Sequence, residues 1–171
     1  YYYHNYEHTL YVMEKVLEIG NHENCSENEL ELLHTAALWH DTGYINTYKG
    51  HEAASCTLAR QYLPGYGYSL EDIDRICGMI MATKIPQSPN NKLEEILADA
   101  DLEYLGTDKA AVFANHLFKE LKALDPQLTE EAWNKTEIGF LETHPYFTRF
   151  CKENKEHIKQ AYLKRLVNKK V

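Results

Sequence analysis

The segment Leu30, Leu32, Leu33, Ala36, Ala37, Leu38, Trp39 is apolar on nearly every side of a helix and runs directly into His40-Asp41. A helix that is apolar all round is buried, so the chain must fold around a core helix that ends in an imidazole and a carboxylate. Asp41 follows Ala37 and Leu38 by one turn and faces the interior. An unpaired buried carboxylate costs several kcal/mol or gives up its charge, and the negative end of a helix dipole makes its position worse. Something positive must compensate it.

Apolar spacing elsewhere is also closer to the helical period than to alternation, and no segment reads convincingly as a strand. The pattern predicts helices over 5–19, 27–41, 51–63, 70–83, 92–104, 108–124, 130–142 and 147–167, with ends good to about 2–4 residues. Ser26 before Glu29 has the form of a capping box. Ser69, Thr107 and Thr129 precede acidic first turns and are expected helix caps. Gly20, Gly43 and Gly106 follow periodic segments and are expected left-handed stops. Lys84 to Asn91, with two prolines, is expected to be a loop. With 44% hydrophobic residues in 171, the expectation is all-α: a single compact domain over 1–171, built as a bundle of about eight helices.

A net charge of -8 argues against a nucleic-acid polymer as partner, and none is expected, since such a surface needs clustered cations. The basic group Lys164-Arg165 with Lys169-Lys170 reads as a solvated terminus. Cys25, Cys56, Cys77 and Cys151 form no C-x-x-C pair, so a reducing, cytoplasmic setting is expected. No apolar run of about 18 residues is present, so no membrane association is expected. The sequence opens on Tyr1 with a motif at once, and an upstream segment is expected.

Two further segments carry chemistry. His4 and His8 are four residues apart and are expected on one face of the first helix; taken alone they read more readily as an exposed polar pair at a helix start. Asp101 has Leu97, Ala98 and Leu105 at helical-neighbour spacings, so it is expected to be the buried aspartate, with Asp99 on a more mixed face. An arginine or a helix amide could hold Asp101 instead. Together the three segments offer two nitrogen ligands and two carboxylates with apolar backing. That set suits one divalent ion such as Mn, Zn, Fe, Ni, Co or Mg.

These residues resemble the HD superfamily of metal-dependent phosphohydrolases, through Tyr3-His4-Asn5-x-x-His8-Thr9, Leu38-Trp39-His40-Asp41-Thr42-Gly43 and Asp99-Ala100-Asp101-Leu102-x-x-Leu105-Gly106. The opening motif is also similar to that of cyclic-nucleotide phosphodiesterases. The resemblance implies His8, His40, Asp41 and Asp101 as metal ligands, with Asp41 also counted among the catalytic groups. It implies His4 as the general acid for the leaving oxygen, with water activated by the ion attacking phosphorus. His51-Glu52 match positions that approach the metal water or a second ion, or else form an ordinary helix-start pair. Dinuclear relatives place another histidine where this chain reads Met81-Ala82-Thr83-Lys84, so one ion is expected rather than two. Thr83 and Lys84 could contact phosphate; a solvent-facing lysine is the plainer alternative.

His22, His144 and His157 are expected in loop or surface positions, His116 at the core edge, and Tyr1, Tyr2, Tyr3, Tyr6 and Tyr11 against the first helix. The expected substrate is a small phosphorylated metabolite, a nucleotide in the first instance; a homodimer is allowed. The main alternative is a non-catalytic nucleotide- or metal-sensing regulatory domain. A di-iron oxygenase lacks its extra histidine at Thr83, and a stringent-response hydrolase lacks its acidic motif in Thr42-Gly43-Tyr44-Ile45-Asn46-Thr47.

Overall fold

Ser26 starts the buried helix by trading hydrogen bonds with Glu29. In the computed structural model, which describes residues 1–168, the Ser26 hydroxyl accepts the Glu29 N–H at 3.3 Å and the Glu29 carboxylate accepts the Ser26 N–H at 2.8 Å. Such a cap stabilises a helix by about 1 kcal/mol. Ser69 and Thr129 likewise accept the N–H groups of Asp72 and Ala132.

The described residues form nine helices: α1 (Tyr6–His22), α2 (Glu27–Trp39), α3 (His51–Tyr62), α4 (Leu70–Ala82), α5 (Lys92–Asp101), α6 (Ala110–Leu124), α7 (Glu130–Thr143), α8 (Arg149–Asn154) and α9 (Glu156–Asn168). Tight 3-10 turns occupy Thr42–Ile45, Leu63–Tyr66 and Glu103–Gly106. No strand occurs among the described residues, as the periodicity predicts, and Lys84 to Asn91 is a loop. The long last helix of the sequence pattern is interrupted at Lys155. That residue pairs its ammonium with the buried Glu103 and packs its backbone against Gly106.

The chain forms two compact units, one over Tyr6–Asp101 and one comprising Tyr1–Asn5 with the chain from Leu102 onward. In the first unit, α5 packs against α1, α2 and α4, which is why nearly all of it is buried. Val12, Val16, Ile19, Leu32, Leu33, Ile73, Ile76, Met79, Ile80, Ile96 and Leu97 form its core, each stabilising the fold by about 1.5–3 kcal/mol relative to exposure. In the second unit Tyr3 packs edge-on to Tyr104 and Phe113, whose rings stack at 4.7 Å. Buried Tyr162 donates to buried Glu137 at 2.5 Å, and buried Lys159 is met by the His144 carbonyl, by Glu156 at 3.0 Å and by the Tyr146 ring.

Several sequence expectations need correction. None of Gly20, Gly43 and Gly106 is a left-handed stop: the positive-φ residues described are Asn24, Gly50 and Gly67. Gly20 lies inside α1, where a Cβ would stand 2.7 Å from Leu30 Cδ2, so it is a packing glycine and Asn24 makes the turn. Lys109, not Thr107, directly precedes α6; the Thr107 hydroxyl accepts the Lys109 N–H at 3.1 Å and donates to the Tyr104 carbonyl at 2.8 Å, so it caps the turn that leads into the helix. Helix α2 is not buried on every side, since Leu38 is 48% exposed. Of the tyrosines, Tyr3 is buried whereas Tyr1, Tyr2 and Tyr6 are exposed. His144 lies in the connection after α7, as expected, and is buried there. Lys164 and Arg165 are exposed; Lys169 and Lys170 lie outside the described residues. Among the described residues no helix is long and apolar enough to cross a membrane.

Candidate metal centre

The core helix delivers its imidazole in one defined tautomer. His40 caps α2, and its Nδ1 lies 2.7 Å from the Ala37 carbonyl oxygen. A carbonyl can only accept, so Nδ1 carries the proton and Nε2 of the neutral ring carries a lone pair. That buried Nε2 has no hydrogen-bond donor among the described residues. It faces Asp41 Oδ2 at 3.2 Å and Asp101 Oδ1 at 3.7 Å. A lone pair opposed to two carboxylates is repulsive unless a proton or a cation sits among them.

The remaining donors come from other elements of the same unit. His8, buried on α1, places Nε2 3.0 Å from Asp101 Oδ1 and 3.6 Å from Asp41 Oδ2. Asp101 ends α5, and Asp41 leads into the turn Thr42–Ile45. That turn is fastened to α3: the Ser55 hydroxyl accepts the Gly43 N–H at 2.7 Å and donates to the His40 carbonyl at 2.6 Å. At Gly43 a Cβ would lie 1.9 Å from the His51 carbonyl oxygen. Only glycine permits so close an approach of the two backbones.

Donors bound to one ion at about 2.1 Å stand roughly 3–3.5 Å apart in tetrahedral or octahedral arrangements. The separations of 3.0, 3.2, 3.6 and 3.7 Å among these four side chains match that spacing to a few tenths of an ångström. His8, His40 and Asp41 are a group able to hold an ion, and Asp101 adjoins both histidines. The fixed His40 tautomer, with its Nδ1–H on a backbone carbonyl, is the arrangement metal-ligating histidines use. Burial opposes charge on His40, yet Asp41 and then Asp101 outweigh it and lift the imidazole well above its ordinary range. Burial also opposes the Asp101 carboxylate, and His40 and His8 outweigh it and hold the group far below the usual carboxylate range.

His51 opens α3 with Nε2 3.5 Å from Asp41 Oδ1 and its ring stacked on Tyr44 at 3.9 Å. Buried Glu52 places an oxygen 3.8 Å from His51 Nδ1. Thr83 is buried and donates its hydroxyl back to the Ile80 carbonyl at 2.8 Å, while Lys84 is exposed.

Two expectations about the site fail. Asp99, not Asp101, is the fully buried aspartate, at 0% exposure; α5 is covered by three helices, so the face that looks mixed in sequence is covered too. His4 does not share a helix face with His8, because α1 begins at Tyr6. His4 belongs to the other unit, where Glu120 captures it: Oε1 lies 2.5 Å from His4 Nδ1, and Oε2 accepts the Tyr3 and His4 N–H groups at 2.8 and 3.0 Å. Burial would raise the Glu120 carboxyl, but His4 outweighs it and holds the group at about 2. Glu120 was missed by the sequence pattern although Leu117 and Leu124 flank it at helical spacing, the same sign that marks Asp101.

The fold and these donors define an all-helical domain with a buried His/Asp centre fit for a divalent ion. The HD domain family model matches residues 5–103, and the chain belongs to that family. The matched span contains His8, His40, Asp41 and Asp101 but not His4. Among solved structures, the crystal structure of a predicted HD superfamily hydrolase from an uncultured Thermotogales bacterium is similar in fold. It has a TM-score of 0.58 and 22% identity, over 98% of this chain and 82% of that one. No curated protein matches.

Proposed function

We propose that this chain is a metal-dependent phosphohydrolase that cleaves a phosphate ester of a small metabolite, a nucleotide in the first instance. The observation that carries the reading is the His40 ring: its Nδ1–H is spent on Ala37, and its Nε2 lone pair faces carboxylates from two separate elements. With Nδ1–H fixed on the carbonyl, Nε2 is the nitrogen left to meet either a proton or a cation among the aspartates, and family membership favours the cation. Family membership supports the reading, as does the description of the similar Thermotogales protein as a predicted hydrolase.

His8, His40, Asp41 and Asp101 would hold one ion. When bound, a divalent ion lowers the pKa of coordinated water towards about 7 and offsets negative charge on phosphoryl oxygens. His51, held flat against Tyr44, presents Nε2 beside Asp41, where it can exchange a proton with water or orient it. Glu52 steadies that imidazole from its Nδ1 side. His4 takes the proton-donor role on the strength of the opening motif: Glu120 occupies Nδ1, which leaves Nε2 as the nitrogen that protonates the departing ester oxygen. Lys84, exposed at the end of α4, remains the candidate phosphate contact. The Thr83 hydroxyl is committed to Ile80.

The test is elemental analysis of the purified protein, then a screen of Mn, Zn, Fe, Ni, Co and Mg against nucleoside monophosphates, cyclic nucleotides and pyrophosphate esters. Product release that stops on chelation, and stops in Asp101→Asn, is the expected result. Stoichiometric metal with nucleotide-dependent thermal shifts but no product under any ion would assign a sensing role instead.

A further inference from the structure

The seam between α3 and α4 brings together two thiols that the proposed hydrolysis does not use. Cys56 Sγ lies 3.5 Å from the Cys77 carbonyl oxygen, and Cys77 Sγ lies 3.8 Å from the Cys56 carbonyl oxygen. Reciprocal contacts of this kind place the two residues directly opposite each other on packed helices. Each thiol also shifts the other: interaction with Cys56 lowers Cys77 to about 7, and interaction with Cys77, with burial, pushes Cys56 up. Buried cysteines that serve only as small apolar side chains are inert thiols. Cys56 and Cys77 are buried too, but they face each other across one helix seam, and joining them takes an S–S bond of about 2.05 Å.

We propose that Cys56 and Cys77 are a reversible redox pair that closes to a disulfide under a peroxide and thereby weakens the metal centre. The Cys77 thiolate attacks one peroxide oxygen, the O–O bond breaks, and the departing hydroxide takes up the thiol proton as water. The Cys56 thiol then attacks the resulting sulfenic sulfur, the S–O bond breaks, and a second water leaves. Two thiols are oxidised by two electrons while one peroxide is reduced to two waters; a dithiol reverses the change by exchange. Cys56 directly follows Ser55, whose hydroxyl ties the Gly43 N–H and the His40 carbonyl to α3. Drawing Cys56 towards α4 therefore pulls on the turn that presents His40 and Asp41. This consequence rests on the metal-centre reading above; the disulfide itself does not.

The experiment uses the full chain, reduced or treated with hydrogen peroxide, then blocked with N-ethylmaleimide under denaturing conditions and mapped by mass spectrometry. Zinc affinity is measured on both samples by competition with a chromophoric chelator, zinc being inert to the oxidant. The expected result is a Cys56–Cys77 linked peptide and at least tenfold weaker zinc binding, both reversed by dithiothreitol and both missing in Cys56→Ser. Cys77→Ser serves equally if Cys56→Ser does not fold. Absence of the linked peptide, linkage through Cys25 or Cys151, or linkage with unchanged zinc affinity would overturn the proposal. Reduced protein that takes up no zinc would refute the metal-centre reading and the coupling, while the mass map still judges the disulfide alone.

Discussion

His4 Nδ1 and Glu120 Oε1 meet at 2.5 Å across 116 residues of sequence, and the second Glu120 oxygen accepts the N–H groups of both Tyr3 and His4. One buried carboxylate thus fixes both the backbone and the ring of the segment that precedes α1. Replacing Glu120 by Ala leaves buried donors unsatisfied, each costing about 1–3 kcal/mol. Chemical denaturation of Glu120→Ala should show a loss on the order of 3 kcal/mol. Under the proposed function, Glu120→Gln should lower kcat by about tenfold or more with little change in KM, because the ring is freed but binding is not. An equal effect on both parameters would count against His4 as the acid.

Glu120 also sets an acid limit on stability. Its folded pKa, about 2, lies below the ordinary value of 4.5, so the unfolded chain binds the proton more readily. Its contribution is complete above the unfolded pKa and is lost as pH falls through the folded one. Wild-type stability should therefore drop between about pH 4.5 and 2, by roughly 3 kcal/mol from this group alone. Denaturant midpoints across that window should fall less steeply in Glu120→Gln, and matching slopes would contradict the assignment.

The cluster itself was largely legible because its members announce themselves locally. His8, His40, Asp41 and Asp101 each sit in a short motif on or beside a helix with apolar neighbours, and the fold brings each of the two histidines within 3.0 to 3.7 Å of each of the two aspartates. What supports them was not legible. Ser55 bonding to Gly43 and His40, Tyr44 stacking on His51, and Glu120 holding His4 are pairings between segments, and no periodicity encodes them. Asp99 was misplaced for a related reason: helical spacing shows which residues share a face but not how many helices cover it. The exposed Leu38 is the converse case, an apolar residue on a face that nothing in its own unit needs.

Removing a ligand should separate metal loss from unfolding. His40→Ala deletes the Nε2 donor and with it a partner that holds the Asp101 carboxylate ionised. The metal-free variant should therefore fold but melt several degrees below the metal-free wild type, and metal content is compared below both transitions. Metal content by plasma mass spectrometry should fall from near one equivalent to below about a tenth, and turnover by at least about a hundredfold. Asp101→Asn should behave alike. Retention of a full equivalent in either variant would remove that residue from the ligand set.

Gly43 tests whether the centre depends on the clamp between its turn and α3. A Cβ at this position would stand 1.9 Å from the His51 carbonyl oxygen and 2.7 Å from the Ser55 nitrogen, both backbone atoms that no rotamer change can move aside. Gly43→Ala must therefore push the turn off α3, stretching the Gly43 to Ser55 hydrogen bond and turning Asp41 away from His51. Ser55→Ala breaks the same fastening without the clash, leaving the buried Gly43 N–H unpaired at a cost of about 1–3 kcal/mol. Thermal melts of the metal-free proteins should rank wild type above Ser55→Ala above Gly43→Ala. Metal affinity should follow the same order if the clamp serves the ligands, whereas a destabilised Gly43→Ala that keeps wild-type affinity would show the turn to be structural alone.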